Sequence, residues 1–265
     1  MKNKTVRLTE SAVMLALAAI LSILPILELP YGGSITVCSM LPICIIAYRY
    51  GVAWGMFTGT VYGILQMFLG LKNVLWFSTP LSVIAVIVLD YLLAFAVMGL
   101  AGAFRRHCKQ APAMMLGTLL ACVARYLSHF VAGITVWKGF SIPDEAAVLY
   151  SFAYNATYML PETVVLLAGL ALIAGMLDFG KDTVGRRTGE HGSFDWLAAG
   201  AGVSIVAALI LDVREIFQHL QDGETGDFII TGLVNVNWGI VGIFTAVGIV
   251  LATACLLIRA ARKRA

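Results

Sequence analysis

Long apolar stretches dominate the chain and alternate with short polar segments. Eight stretches occur, at about residues 11–27, 37–48, 51–71, 79–104, 113–136, 146–177, 195–217 and 229–258. A helix needs about 20 apolar residues to cross the hydrocarbon core of a bilayer. We therefore predict eight membrane-spanning helices, of which the second is short, and the fold class of an all-α polytopic membrane protein.

The composition supports the membrane assignment and excludes other classes. Of the 265 residues, 60% are hydrophobic and 12% are charged, whereas soluble domains carry about 25% charged residues. A soluble enzyme, a secreted disulfide scaffold and a disordered chain are therefore excluded. The net charge of +3 is too small, and the basic residues too scattered, to indicate nucleic acid as a partner.

Sequence motifs for metal, cofactor or nucleotide chemistry are absent. The five cysteines include no C-x-x-C pair, so neither a metal site nor a disulfide framework is indicated. The chain also lacks the P-loop, H-E-x-x-H and G-x-S-x-G patterns. We expect a protein that is not an enzyme, has no cofactor and does not hydrolyse ATP itself.

Positive charges predict the orientation of the spans. Placing the polar segments on alternate sides puts Lys72, Lys138 and Arg214 on one side and fourteen Lys or Arg on the other. Cytoplasmic loops are enriched in these residues, so both termini are predicted to be cytoplasmic. The fourteen are Lys2, Lys4, Arg7, Arg49, Arg105, Arg106, Lys109, Lys181, Arg186, Arg187, Arg259, Arg262, Lys263 and Arg264.

A polar, glycine-rich segment divides the chain into two parts. It covers residues 179–194 and is predicted to be a cytoplasmic linker. The expected organisation is a six-span body over residues 1–178, this linker, and a two-span C-terminal extension over residues 195–265.

A few polar residues fall inside the predicted spans, where ionisable groups are costly and are often functional. They are Asp90, Arg125, His129, Glu162 and Asn155. With a rise of ~1.5 Å per residue, Asp90 lies ~16 Å and His129 ~10 Å from the outer ends of their helices. Asp90 is therefore predicted near the middle of the bilayer and His129 in its outer half, which favours a site in the outer half of the membrane.

Further groups are predicted at the same depth. Tyr150, Tyr154 and Asn155 lie in the first three turns of the sixth span, and Trp137 lies in the outer loop before it. Ring faces attract cations, and a desolvated carboxylate needs a counter-ion. Together with Asp90, these groups indicate a site for a small, flat, cationic or polar ligand.

Simpler interpretations remain open for single residues. Arg125 can pair with either Asp90 or Glu162 as a structural ion pair, and His129 can hydrogen-bond a neighbouring backbone. The aromatic residues, Trp137 included, can belong to the interfacial belt that is usual in membrane proteins.

Small residues at four-residue spacing predict close helix approaches. A glycine series at positions 51, 55, 59 and 63 favours packing inside the protein. Ala12 and Ala16 in the first span are compatible either with internal packing or with contact to a partner.

Several short motifs follow one another in a fixed order over roughly residues 7–178. They are Arg7-Leu-Thr-Glu10-Ser-Ala12-x-x-x-Ala16, Gly32-Gly-Ser-Ile35, Met40-Leu-Pro42, Asp90-Tyr91-Leu-Leu-Ala-Phe95, Gly99-Leu-Ala-Gly102, Arg125-x-x-x-His129-x-x-x-Gly133 and Tyr154-Asn155-x-x-Tyr158-x-x-Pro161-Glu162. In their order and spacing they resemble a known family, the thiamine-specific substrate-binding subunits of energy-coupling-factor (ECF) transporters.

The resemblance implies a six-helix bundle with an outward-facing pocket capped by the loop after the first helix. It implies that Asp90, beside Tyr91, is the counter-ion of the thiazolium ring and that Trp137 stacks on a ligand ring. It further implies that His129, Tyr150 and Asn155 hydrogen-bond the ligand. The nearest candidate for an aromatic residue from the first outer loop is Tyr31.

The resemblance also implies partners. Ala12 and Ala16 are expected to dock on the transmembrane coupling subunit, and paired ATPase subunits are expected to drive transport across the lipid bilayer. The expected function is therefore high-affinity thiamine binding for uptake. Alternatives are a related subunit for another vitamin or pyrimidine-like ligand, a self-sufficient ion-coupled carrier, and an integral-membrane enzyme with catalytic groups near the cytoplasmic face.

Overall fold

The structure is a computed structural model that describes residues 4–138, 146–187, 195–223 and 227–262. Eight helices of ten or more residues occur in these ranges, and seven of them are long and apolar enough to cross a membrane. The predicted helical multi-pass membrane protein is thus confirmed. The helices are α1 Lys4–Ser22, α2 Leu41–Tyr50, α3 Val52–Leu69, α4 Pro80–Gly102, α5 Gln110–Thr135, α6 Ala147–Met176, α7 Trp196–Phe217 and α8 Trp238–Arg262.

The segment between α1 and α2 forms a β-hairpin that the hydrophobic pattern did not predict. Strand β1 (Pro25–Glu28) pairs antiparallel with β2 (Ser34–Thr36). Its turn contains Tyr31 and Gly32, both with positive φ, a region that glycine adopts without steric cost. The hairpin leads into α2, whose ten residues extend only ~15 Å, about half the thickness of the hydrocarbon core.

Helix α4 is irregular. Its first part, Pro80–Val86, is α-helical, the middle segment Ile87–Leu93 is π-helical, and the last residues, Val97–Gly102, form 3₁₀ turns. The start of the helix is capped by Thr79, whose hydroxyl accepts a hydrogen bond from the Ser82 amide at 3.2 Å.

Helix α3 packs closely on α4 through the glycine series. A Cβ atom added at Gly59 or Gly63 would overlap backbone carbonyl oxygens of α4. The internal-packing interpretation of these glycines is therefore confirmed, because any larger residue would push the two backbones apart.

The described residues form two compact units, Met1–Arg186 and Arg187–Ala265, and the division lies within the predicted linker. The first unit contains α1 to α6 and ends in a short hairpin of Leu177–Asp178 and Gly185–Arg186. The fully buried Arg49 side chain joins α2 to α1, because its guanidinium donates two hydrogen bonds to the Glu10 carboxylate, with N···O distances of 2.8 Å.

The second unit contains α7 and α8, which pack tightly on each other. Gly248 faces Ala208 so closely that a Cβ atom would overlap it. Asp195 forms an ion pair with Arg259, and the Thr245 hydroxyl donates to Asp212 at 2.6 Å. These polar contacts join the two helices at one end and near the middle.

The exposed side of α1 carries the two small residues that sequence analysis singled out. Ala12 and Ala16 are exposed, whereas Ser11 and Ala18 are the buried residues of this helix. Among the described residues of the first unit, the alanines therefore do not serve internal packing, and their use in docking a partner stays a prediction.

Candidate ligand-binding site

The Asp90 carboxylate is the centre of a polar cluster inside the first unit. Its Oδ1 lies 2.8 Å from Nδ1 of His129 on α5, and its Oδ2 accepts a hydrogen bond from the indole Nε1 of Trp137, also at 2.8 Å. Both side chains of the Asp90–His129 pair are mostly buried, with 12% and 13% exposed. Three of the predicted site residues are thus brought together around one carboxylate.

His129 retains one ring nitrogen for another partner. Since an ionised carboxylate can only accept hydrogen bonds, Nδ1 carries the hydrogen that is shared with Asp90. The buried Nε2 makes no hydrogen bond to any residue that the structure describes. Nε2 is thus the ring nitrogen of His129 without a described partner, an acceptor in the neutral ring and a donor in the charged one.

Aromatic rings pack around Trp137, the residue whose indole donates to the Asp90 carboxylate. The Trp137 ring centroid lies 4.9 Å from Phe77, 6.0 Å from Trp76 and 6.2 Å from Tyr31. Tyr31 and Trp76 are themselves 5.6 Å apart. All these pairs are edge-to-face. Three chain segments, the hairpin turn, the loop before α4 and the end of α5, therefore contribute to one cluster, which we name the aromatic cluster.

Sequence analysis missed Trp76 and Phe77 and gave Tyr31 only as the nearest candidate. A signal for the first two did exist, because they lie between the third and fourth spans, on the same predicted side as Trp137. Nothing in the one-dimensional pattern, however, shows that their rings meet.

Asn155, Tyr154 and Tyr158 are the polar side chains that α6 contributes beside the hairpin turn. Asn155 donates from Nδ2 to the Ser151 carbonyl at 2.9 Å and accepts at Oδ1 from the Tyr158 hydroxyl at 2.9 Å. The Tyr154 hydroxyl accepts a hydrogen bond from the Gly33 amide at 3.1 Å. Through this bond, α6 holds the hairpin turn that carries Tyr31.

Two further predicted site residues, Tyr91 and Tyr150, lie on α4 and α6. Tyr91 donates its hydroxyl to the Gly70 carbonyl at 3.2 Å, toward the end of α3. Tyr150 is buried one helical turn before Tyr154. Ligand contacts of Asn155, Tyr91 and Tyr150 stay predictions.

The structure distinguishes between the two partners considered for Arg125. Its Nη1 donates to Glu162 Oε2 at 2.7 Å, and both groups are buried. Glu162 also accepts from the Thr36 hydroxyl at 3.0 Å. Arg125 therefore pairs with Glu162, and the described side-chain partners of Asp90 are His129 and Trp137.

This arrangement suits a flat cation. A partly desolvated carboxylate attracts positive charge, aromatic ring faces do the same, and an imidazole nitrogen adds directional hydrogen bonding. No group of three or more His, Cys, Asp or Glu side chains placed for a metal ion occurs among the described residues.

Comparison with known proteins identifies the family of this chain. The model of the thiamine transporter protein family (Thia_YuaJ) matches residues 8–179, which is well over half of the chain. The chain belongs to this family. The family predicted from the sequence motifs is thereby confirmed, and α7 and α8 lie outside the matched region.

Individual members of the thiamine transporter family show the same extent of similarity. The thiamine transporter ThiT of Bacillus subtilis is 33% identical over 187 residues, which cover 64% of this chain and 91% of the relative. ThiT of Lacticaseibacillus paracasei is 28% identical over 202 residues, which cover 68% and 94%. The solved structure of ThiT from Listeria monocytogenes is 25% identical, with a TM-score of 0.53, and the match covers 64% of this chain and 94% of that one.

Proposed function

We propose that this protein binds thiamine at the Asp90 cluster and serves as the substrate-binding subunit of an ECF-type uptake transporter. The observation that carries the proposal is the carboxylate of Asp90, held by His129 and Trp137 beside the aromatic cluster. Thiamine combines a cationic thiazolium ring with a flat aminopyrimidine ring. Membership of the thiamine transporter protein family supports the choice of this ligand.

Each part of the site has a task in this proposal. Asp90 balances the thiazolium charge, and the Trp137 ring stacks on the ligand. The free Nε2 of His129 accepts a hydrogen bond from the amino group of the pyrimidine. Tyr150 and Asn155 line the α6 side, and Tyr31 covers the ligand from the hairpin.

Transport requires other subunits in this scheme. The sequence has no P-loop, so we assign ATP hydrolysis to a pair of partner ATPases. The exposed Ala12 and Ala16 on α1 are the proposed contact with a transmembrane coupling subunit. Both termini are placed on the cytoplasmic side, as the distribution of Lys and Arg predicts.

Binding of thiamine to the detergent-purified protein tests the ligand. Calorimetry is expected to show saturable binding at submicromolar thiamine. Thiamine is also expected to quench the tryptophan fluorescence of the wild type, and this quenching should be lost in Trp137→Ala. Trp54→Phe is the matched control, since Trp54 lies on α3 and bonds Ser11 at 2.9 Å, away from the cluster. A flat calorimetric titration of the wild type contradicts the thiamine assignment, and binding of a different vitamin or pyrimidine would identify a sister specificity.

Uptake into proteoliposomes tests the need for partners. The protein alone is expected to give no uptake of labelled thiamine, with or without an ion gradient. When the coupling and ATPase subunits are added, uptake is expected to occur. This uptake should require ATP on the side of the membrane where the ATPase subunits lie. Gradient-driven uptake by the protein alone contradicts the subunit assignment and indicates an ion-coupled carrier.

A further inference from the structure

Asp90 lies in an unusual stretch of backbone. The segment Ile87–Leu93 in the middle of α4 is π-helical. This conformation has i→i+5 hydrogen bonds and is rare in proteins, but where it occurs it is frequently at a functional site. Two consecutive side chains of this segment reach different helices. Asp90 meets His129 on α5, while Tyr91 meets the Gly70 carbonyl at the end of α3.

Neighbouring helices hold the carbonyl oxygens of this segment from two sides. On one side, the hydroxyl of Ser128 on α5 donates to the Leu89 carbonyl at 2.6 Å. On the other side, the Tyr91 carbonyl is pressed against Gly63 of α3, where any Cβ atom would overlap it.

The Ser128 and His129 contacts together fix the register between α5 and α4. Leu89 and Asp90 are consecutive on α4, Ser128 and His129 are consecutive on α5, and each residue of one pair contacts its counterpart in the other. Ser128 is buried, with 5% of its surface exposed, and its hydroxyl contacts backbone rather than any group of the aromatic cluster.

We propose that Ser128 is a positioning residue for ligand binding, because its hydroxyl holds the π-helical segment in the register that aims Asp90 at His129 and Trp137. This inference rests on the proposed function of Asp90 as the site of the ligand's positive charge. The new element is that the charge is positioned by a serine which does not touch the ligand.

The bilayer gives the physical reason. Backbone groups that a transmembrane helix does not satisfy internally must find partners on neighbouring helices, and serine hydroxyls are common partners. Without the donor from Ser128, the wide turn loses stabilisation relative to a regular α-helix. One residue step around a regular helix is about 100°, so a relaxed turn moves the Asp90 carboxylate away from its two donors.

Thiamine affinities of two Ser128 variants test the proposal. Ser128→Ala is expected to weaken binding about tenfold, the size of one hydrogen bond of ~1.4 kcal/mol, and Ser128→Thr is expected to restore affinity to within about threefold. Tyr126→Phe is the matched control and should leave affinity unchanged, because it removes another hydroxyl-to-carbonyl bond from α5, to Phe152 at 2.8 Å.

A double-mutant cycle separates positioning from general destabilisation. If Ser128 acts through Asp90, the loss caused by Ser128→Ala falls to less than about twofold in an Asp90→Asn background. An equal loss in both backgrounds, or no loss in either, overturns the proposal.

The indole N–H signal of Trp137 in the ligand-free protein gives a readout that needs no thiamine. It is assigned in ¹⁵N-tryptophan-labelled protein by its disappearance in Trp137→Phe. We expect Ser128→Ala to shift this signal, because the indole bonds Asp90 directly, and Tyr126→Phe to leave it in place. An unshifted signal in Ser128→Ala overturns the proposal, even if Asp90→Asn binds thiamine too weakly for the double-mutant cycle to be measured. A wild-type protein that does not bind thiamine would contradict only the proposed function.

Discussion

The indole nitrogen of Trp137 and the carboxylate of Asp90 lie 2.8 Å apart, which joins the end of α5 to the middle of α4. One residue therefore has two uses. The Trp137 ring belongs to the aromatic cluster, and its N–H orients the negative charge that the cluster encloses. Any ligand that inserts a cation between ring and carboxylate changes both contacts at once.

The charge of Asp90 should contribute strongly to the affinity for thiamine and little to the affinity for the neutral aminopyrimidine part of thiamine. We expect Asp90→Asn to weaken thiamine binding about 30-fold or more, since loss of a buried charge partner costs ~2 kcal/mol or more. Binding of the isolated aminopyrimidine fragment should change less than threefold. Calorimetry with both ligands measures the difference.

A buried aspartate of the second unit provides the control for this prediction. Asp212 on α7 is buried and bonds Thr245, but it lies in the other unit. Asp212→Asn should therefore leave thiamine affinity unchanged. Equal losses in Asp90→Asn and Asp212→Asn would show that the effect is one of general stability.

The indole N–H of Trp137 should be separable from its ring. Trp137→Phe retains an aromatic face but loses the bond to Asp90, so we expect an affinity loss of roughly tenfold. Trp137→Ala should lose more, because stacking area disappears as well. Titration of both variants by calorimetry decides the order, and equal losses would argue against a role of the ring face.

The Arg125–Glu162 pair should govern stability. Glu162→Gln leaves a buried guanidinium without its counter-ion, which costs ~3–5 kcal/mol. Replacing both partners, as in Arg125→Met with Glu162→Leu, should cost less than the single change, because no uncompensated charge remains. Thermal unfolding in detergent measures this ordering, and a double variant less stable than Glu162→Gln would contradict it.

Gly33 should be required for the position of the hairpin. Its φ is −63°, so the backbone itself tolerates alanine, but an added Cβ would lie 2.9 Å from both the Tyr154 hydroxyl and the Tyr158 ring. We expect Gly33→Ala to displace the turn that carries Tyr31 and to speed thiamine dissociation several-fold. Stopped-flow fluorescence measures the rate.

Gly175→Ala is the control for this substitution. Gly175 lies in α6 with no atom within 4 Å of the added Cβ, so dissociation should keep the wild-type rate. If both alanine variants release thiamine equally fast, the hairpin position is not the cause.

The α7–α8 unit should be dispensable for binding. The family match ends at residue 179, and the Asp195–Arg259 pair joins the two helices to each other. We expect Arg259→Gln to lower the thermal stability of this unit and to leave thiamine affinity within twofold of the wild type. A large affinity loss would indicate that the extension contributes to the site.

Much of the fold follows from the hydrophobic pattern alone. The five predicted stretches from 51–71 to 195–217 agree with the observed helices within three residues, because each must be apolar along its whole length. The first and last helices are displaced from their predicted stretches: α1 begins at Lys4 rather than residue 11, and α8 begins at Trp238 rather than residue 229. The hairpin of residues 25–36 was not predicted, since its strands are only four and three residues long. The π-helical turn at Asp90 was not predicted either, because it depends on contacts from α3 and α5.

By itself, the sequence determined the membrane class, and it predicted Asp90, His129 and Trp137 as candidate site residues in the outer half of the membrane. These follow from the cost of polar groups in hydrocarbon, which makes each such residue conspicuous. Only the tertiary structure decided that Arg125 pairs with Glu162 and that Tyr31 meets Trp76 and Trp137. Pairing between distant segments depends on how helices rotate and pack against each other, and no local pattern in the chain records that rotation.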